Sequence, residues 1–306
     1  MVYLFSKKLI IISLVNLFLS YKLYQYIKER TQDKKLIIPI AMTLENNSVY
    51  QGIILITSIL ENSNIDTDYE IYIILPLKFS IDNRHKLLTL EVKYKNSKIH
   101  LIQPIEKNIL PFKLNLFSLI PKRDKIIFLN DNTLINKDLT DLYKTDIEEF
   151  YYAGVINNDI DKFSNKIKLN RTIDTSVMLI NLKKIRDSQI MKNKIIQLYD
   201  KFQQDDLVIN IICNLDNCKI LEAKYAMQNF DSADLANEYN KKLISEYRYE
   251  DVKFIGFYYE PVISVLNCKP WENYKCQKSE IWWYYAEKSD FFEDIKSFYP
   301  NIEIKM

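Results

Sequence analysis

The group Asn130-Asp131-Asn132-Thr133 closes an apolar segment, "DKIIFLN" (124–130), that reads as a strand. In open α/β sheets ligands sit beyond the carboxyl ends of the strands, so this turn is the first place to expect chemistry. The plain alternative is an ordinary turn, because Asn and Asp hydrogen-bond readily to their own backbone. Four cysteines, Cys213, Cys218, Cys268 and Cys276, fall as C-x4-C and C-x7-C, with only His85 and His100 as imidazoles, which is not a zinc spacing. Two local disulfides and four separate thiols are both open. The three glycines, Gly52, Gly154 and Gly256, stand far apart. They exclude both a G-x-G-x-x-G loop and a Walker loop, so any phosphate must be held by other groups.

The elements that must position such a site follow from the patterning. Short apolar runs alternate with amphipathic stretches from Leu36 onward, the signature of strands joined by crossover helices. "LIIPIAMT" (36–43) reads as a buried strand, 49–62 as a helix and "YEIYIILP" (69–76) as the next strand. Residues 82–94 suit a helix, "KIHLI" (98–102) a third strand and 124–130 a fourth. "TSVMLINL" (175–182) reads as a further strand, followed by a basic helix from Lys183 and a polar helix opening near Gln204. The expected class is α/β, with a mostly parallel central sheet in one domain, 36–306.

Composition narrows the function. At 306 residues and 48% hydrophobic, the chain can bury a large core, which excludes disorder. With 42 basic and 40 acidic residues it lacks the footprint of a nucleic-acid binder. Residues 1–35 hold seven Lys/Arg against Glu29 and Asp33, leaving a body of 35 basic and 38 acidic residues that is mildly acidic. The apolar run Leu9–Leu19 between basic flanks reads as a hydrophobic N-terminal helix. It is about half the ~20 residues that a helical span needs, and no small-residue cleavage site follows it. An uncleaved anchor or interfacial helix (1–35), a cleaved signal and a helix packed on the body all stand as readings. The first makes the protein membrane-associated, single-pass or peripheral, with either orientation.

Several segments, in order from about Ile37 to Ile295, resemble family 8 glycosyltransferases, retaining enzymes that use a nucleotide sugar and a divalent metal. They are "IPIAMT" (38–43), "ITSILENSN" (56–64), "DKIIFLNDNTLINKDLTDLY" (124–143), "SVMLINLKKIR" (176–186), "KPW" (269–271) and "WWYYA" (282–286). The resemblance implies a single Rossmann-like nucleotide-diphospho-sugar transferase fold and a UDP-sugar donor bound near Thr43, Glu45, Asn130 and Asn132. It also implies Mn2+ or Mg2+ at a D-x-D element, where two carboxylates spaced i, i+2 at a strand end grip one cation.

Here that triplet is Asn130-Asp131-Asn132, and the family's His ligand falls on Ser264, so two carboxylates and an imidazole are gone. Asp131 remains in the middle, where strand alternation would aim it to the opposite face unless the turn rotates it. Glu45 stands where the family has an Asp, Ser48 where an aromatic stacks on the base, and Lys113 in place of an Arg, keeping charge but losing the planar fork. The D-Q-D run falls on Asp205-Asp206-Leu207, and Asp174 and Ser176 replace an Asn and a Gly. Lys269 persists at the position that reaches the diphosphate.

The implied catalytic set is Asp205, Asp206 and Lys113, with Lys113 and Lys269 neutralising the leaving diphosphate. The alternatives are structural: Asp205 and Asp206 as helix N-terminal acids, Lys269-Pro270-Trp271 as an ordered turn, and Trp282 to Tyr285 as a packed amphipathic helix. Two function classes result. One is a hexosyltransferase acting on a glycan acceptor, with a metal-independent variant. The other is an inactive transferase-fold scaffold, a homo- or hetero-oligomeric partner of a related enzyme.

Overall fold

A computed structural model of the chain describes residues 19–22, 35–104, 110–157, 163, 165–214, 218–229, 261–271, 276 and 279–299. The chain divides into two compact units, Met1–Leu36 and Ile37–Met306. In the first, residues 19–22 are helical and exposed. The apolar run before Leu19 and the basic linker after it lie outside the described residues. Among the described residues no helix is long and apolar enough to cross a membrane.

The second unit opens with β1 (Leu36–Thr43), buried without interruption from Ile38 to Met42, as a strand covered on both faces must be. Next comes α1 (Val49–Glu61), buried from Val49 to Leu60 on every side, which makes it an internal helix. Gly52 in its first turn lets it sit on the chain leaving β1: a Cβ there would lie 2.3 Å from Leu44 Cδ1. β2 (Thr67–Ile74) alternates buried and half-buried residues, and α2 (Ile81–Lys93) buries only Leu87 and Leu90 before the edge strand β3 (Ser97–Ile102). α3 (Leu116–Leu119), β4 (Lys125–Leu129), β5 (Thr133–Ile135), α4 (Thr140–Lys144), β6 (Tyr152–Asn157) and β7 (Thr172–Asn181) follow. The remaining elements are α5 (Leu182–Asp187), α6 (Gln189–Phe202), α7 (Asp205–Ile212), β8 (Cys218–Leu221), β9 (Met227–Asn229), β10 (Ile263–Leu266), α8 (Ser279–Lys288) and α9 (Phe292–Phe298).

The main sheet runs β3-β2-β1-β4-β7-β6-β8 and is mostly parallel. β7 is antiparallel to both its neighbours, with Phe128 opposite Met178 and Tyr152 opposite Ile180. The expected α/β class and the expected strands at β1 to β4 and β7 are therefore present. A second sheet, β5-β10-β9, was not foreseen; β10 runs antiparallel to β5 and parallel to β9.

The aromatic segment is a packed helix. α8 buries Trp282, Trp283 and Tyr285 and leaves Tyr284 half exposed. Trp271 lies 5.3 Å from Trp282 between ring centroids, and Trp283 Nε1 donates to Pro270 O at 3.3 Å. Cys268 and Cys276 form a disulfide around this loop, with their Cα atoms 5.8 Å apart, while Cys213 and Cys218 are free and buried. Of the two cysteine readings, each holds for one pair.

Candidate functional site

A cleft of about 570 Å³ opens beyond the carboxyl ends of β1 and β4, where an open α/β sheet holds its ligands. Thr43 lines it from the end of β1, Leu44, Glu45 and Ser48 from the chain that follows, Gln51 from α1, Asn130 and Asp131 from the turn after β4, and Lys113 and Asp205 from the far wall. A second cleft, of about 300 Å³, adjoins it through the shared residues Gln51 and Asp131, and is bounded by Asn132, Leu266, Lys269 and Trp271. The turn after β4 and the Lys269 loop thus share one seam.

That turn is pinned from three sides. Asn130 N–H donates to Ser176 O at 2.9 Å, which continues the β4–β7 ladder by one residue. Thr133 donates to Asn130 O from its hydroxyl at 2.7 Å and from its N–H at 3.2 Å. Asn132 closes onto β10: its carbonyl accepts from Leu266 N–H at 2.7 Å, and its Nδ2 donates to Leu266 O at 3.1 Å. The turn rotates Asp131 into the seam, contrary to simple alternation. Burial holds its carboxyl above the ordinary range; the Ser48 hydroxyl bonded to it works against this, and the like charge of Glu45 adds to it.

The far wall carries a compact ionic group. Lys113, in a 3₁₀ turn (Phe112–Asn115), sits 2.9 Å from Asp206 Oδ1 and 5.0 Å from the centre of the Phe128 ring. Thr175 Oγ1 donates to the same Asp206 oxygen at 2.6 Å. Asp205 opens α7 and accepts from Asp206 N–H at 2.9 Å, so the acids do serve the helix N-terminus. Asn210 fastens α7 to β7: its Oδ1 accepts from Ile173 N–H at 2.7 Å, and its Nδ2 donates to Asp206 O at 2.9 Å. Asp205, Asp206 and Lys113 are thus brought together as expected. Lys113, expected to help neutralise the leaving diphosphate, lines the cleft while paired with Asp206.

The positions that the resemblance assigned to a metal do not form that ligand set. Asn130 Nδ2 is turned to Ser176 Oγ at 3.5 Å. Ser264 is buried in the small sheet, where its hydroxyl accepts from Asn136 Nδ2 at 3.1 Å. With amides at two positions and a committed hydroxyl at the third, these residues do not fit the divalent metal that the resemblance implies. Among the described residues no three His, Cys, Asp or Glu side chains are grouped so as to hold a metal ion.

Two residues beside the site escaped the sequence reading. Gln51 is 8% exposed, lines both clefts, and its Oε1 has no hydrogen-bond partner; Asn132 Oδ1 is likewise buried and unpartnered. Gln228, on β9, donates to Asp174, whose other oxygen accepts from Ser176 N–H at 2.8 Å. Nothing in the local pattern marks a glutamine inside an apolar helix as site-lining. Its polarity among eleven apolar or small neighbours is the one available signal.

Comparison with known proteins gives this geometry a context. The family model Glycosyl transferase family 8 matches residues 39–275. The fold is similar to that of WbbM, described as a bifunctional glycosyltransferase, at a TM-score of 0.70 and 13% identity over 88% of this chain and 52% of that one. The chain thus spans about half of WbbM. It is similar to the galactosyltransferase LgtC, solved in complex with donor and acceptor sugar analogues, at a TM-score of 0.63 and 15% identity over 83% of this chain and 96% of that one. A third neighbour is the glycosyltransferase GlyE of Streptococcus pneumoniae TIGR4, at a TM-score of 0.61 and 18% identity over 85% and 63%. A search of curated protein sequences finds no match.

Proposed function

The chain belongs to glycosyl transferase family 8, and from that premise we propose that it transfers a hexose from a UDP-sugar to a glycan acceptor with retention at the anomeric carbon. The observation that carries the reading is the seam of two clefts beyond β1 and β4, where Thr43, Glu45, Asn130 and Asp131 face Lys113 and Asp205, with Lys269 alongside. In this reading the nucleotide lies along Thr43 to Ser48 and the diphosphate passes the turn after β4 toward Lys269.

Retaining transfer needs stabilisation of the leaving diphosphate more than it needs a strong base. Lys269 would supply a cation held in place by the Trp271 packing, a preorganised charge of the kind that lowers such barriers most. Asp205, which lines the cleft, would face positive charge developing at the anomeric carbon. Asp206, held by Lys113 and Thr175, positions α7 and with it Asp205. Membrane association through residues 1–35 is part of the proposal, since glycan acceptors of an envelope or secretory route lie at such surfaces.

The test is a thermal-shift titration with UDP, followed by an assay of UDP release from UDP-hexoses. A rise in melting temperature with UDP and slow release from at least one UDP-hexose supports transfer. Neither response, in a folded protein, refutes it and leaves a transferase fold without its chemistry.

A further inference from the structure

We propose that a cleft at the opposite end of the main sheet, lined by Lys125, Lys144, Glu148, Tyr151 and Lys183, binds an acidic saccharide, a sugar that carries one phosphate or carboxylate group. The site is separate from the donor cleft and does not depend on a nucleotide bound there.

The first observation is the cavity and its framework. It measures about 900 Å³, within the range of clefts that take small ligands. Its residues come from the start of β4, the chain between α4 and β6, and the chain that leaves β7 through α5. The donor cleft lies past Asn130 at the other end of β4, about 16 Å along the strand from Lys125. No residue lines both. Hydrogen bonds hold the parts of the framework together. Asn181 Nδ2 donates to Ile147 O at 3.1 Å, and its Oδ1 accepts from Lys184 N–H at 2.9 Å. Asp146 Oδ1 accepts from Glu148 N–H at 2.9 Å, and Lys184 Nζ donates to Glu148 O at 3.0 Å.

The second observation is the state of the lysines. Lys125 is a half-buried ammonium that donates to Thr145 O at 3.0 Å and lies 4.9 Å from the centre of the Tyr143 ring. Among the described residues no carboxylate comes within ion-pair distance of Lys125, Lys144 or Lys183. Burial holds the Lys125 ammonium below the ordinary lysine range, although Asp146 and Glu148 attract it from further off. An ammonium has three donors, so an anionic group entering the cleft meets unspent donors on Lys125 and a charge that it stabilises.

The remaining groups select a sugar rather than a bare anion. Asp124 is already paired with Arg186 at 3.2 Å, but Asp146, Glu148 and Asp187 also line the cleft and would repel a polyanion. Their oxygens are acceptors for hydroxyl groups, and Tyr151 adds a half-buried aromatic ring. Ammonium donors, carboxylate acceptors and one ring together suit a hydroxyl-rich ligand with a single anionic substituent.

The test is calorimetric titration of the full-length chain, in a phosphate-free buffer, with α-D-glucose 1-phosphate and D-glucuronate. D-glucose and inorganic phosphate are the controls. At least one acidic sugar should bind with a Kd on the order of 1 mM, and which of the two binds identifies the anionic group. Both controls should bind about fivefold or more weakly. Lys125→Met should weaken binding about tenfold, and UDP at saturation should leave it unchanged. Melting temperatures establish that the variant folds. Should it fail to fold, the double variant of the exposed Lys144→Met and Lys183→Met carries the test with the same expected loss. Four results overturn the proposal: no binding of either sugar, inorganic phosphate binding as tightly as the sugars, displacement by UDP, or binding indifferent to these lysines. A chain that binds an acidic sugar in this way but not UDP keeps this site and loses the donor reading.

Discussion

The disulfide between Cys268 and Cys276 closes a loop of sequence separation 8 that contains Lys269, Pro270 and Trp271. Replacing both cysteines by alanine removes the cross-link from the unfolded ensemble. Loop-closure entropy for so short a ring is worth about 2.5 kcal/mol at 25 °C. Burial of both sulfurs means that the alanines also lose packing, on the order of 1 kcal/mol in total. For a domain of this size, each kcal/mol moves the melting temperature by about 2 °C. The expected loss is therefore roughly 5–8 °C for the double variant.

The same change frees the backbone of Lys269, although Trp271 against Trp282 and Pro270 under Trp283 still hold the loop from one side. UDP affinity should accordingly fall about three- to tenfold without being lost, since ordering a loop adds on the order of 1 kcal/mol to binding. Differential scanning calorimetry and UDP titration read the two effects, and a thiol count on the denatured wild type should find two of the four cysteines reactive. Four reactive thiols, or a double variant that melts within a degree of wild type, would refute the reasoning.

The ion pair of Lys113 and Asp206 is largely buried on the lysine side and partly open on the acid side, so Lys113→Met should cost about 2–3 kcal/mol by stranding Asp206. A double-mutant cycle with Asp206→Asn should return a coupling of about 1–2 kcal/mol in calorimetry, and additivity would contradict the pairing. Gly52→Ala places a Cβ against Leu44, which lines the cleft. About 1–3 kcal/mol of stability should be lost together with weaker UDP binding, whereas a neutral variant would mean that α1 can retreat.

Asp138 accepts from Asn64 N–H, Tyr69 OH and Thr140 N–H. Burial alone would raise its pKa, but these bonds hold it below the usual 3.8. Its contribution is present above that value and fades as pH falls through the lower native one. Asp138→Asn should therefore cost about 2 kcal/mol at pH 7, and the gap to wild type should narrow in urea melts as the pH falls below 3.8. A gap that stays constant with pH would rule out the charged hydrogen bonds as its source.

The strands β1 to β4 were legible because each is a compact apolar run bounded by polar turns, and α1 and α2 because their lengths exclude strands. β5, β9 and β10 escaped because runs of three or four residues carry no periodicity. Their existence depends on Asn132 and Leu266 meeting across the chain. Thr43, Glu45, Lys113, Asn130, Asp131, Asp205 and Lys269, expected at the site by resemblance, line the two clefts, but their pairings could not be read from the sequence. That Asp206 captures Lys113 is a tertiary fact set by Asn210 fastening α7 to β7. The rotation of Asp131 into the seam follows from the Asn132 clasp on β10, which local alternation cannot anticipate. The Cys268–Cys276 pairing was one of two open readings, because spacing permits a bridge without requiring it.

The most direct test of the central claim is a crystal structure after soaking with UDP. The account predicts the uridine along Thr43 to Ser48 and the diphosphate over the turn after β4, pointing toward Lys269. Density for UDP elsewhere on the molecule, or none in that cleft at saturating UDP, would contradict it.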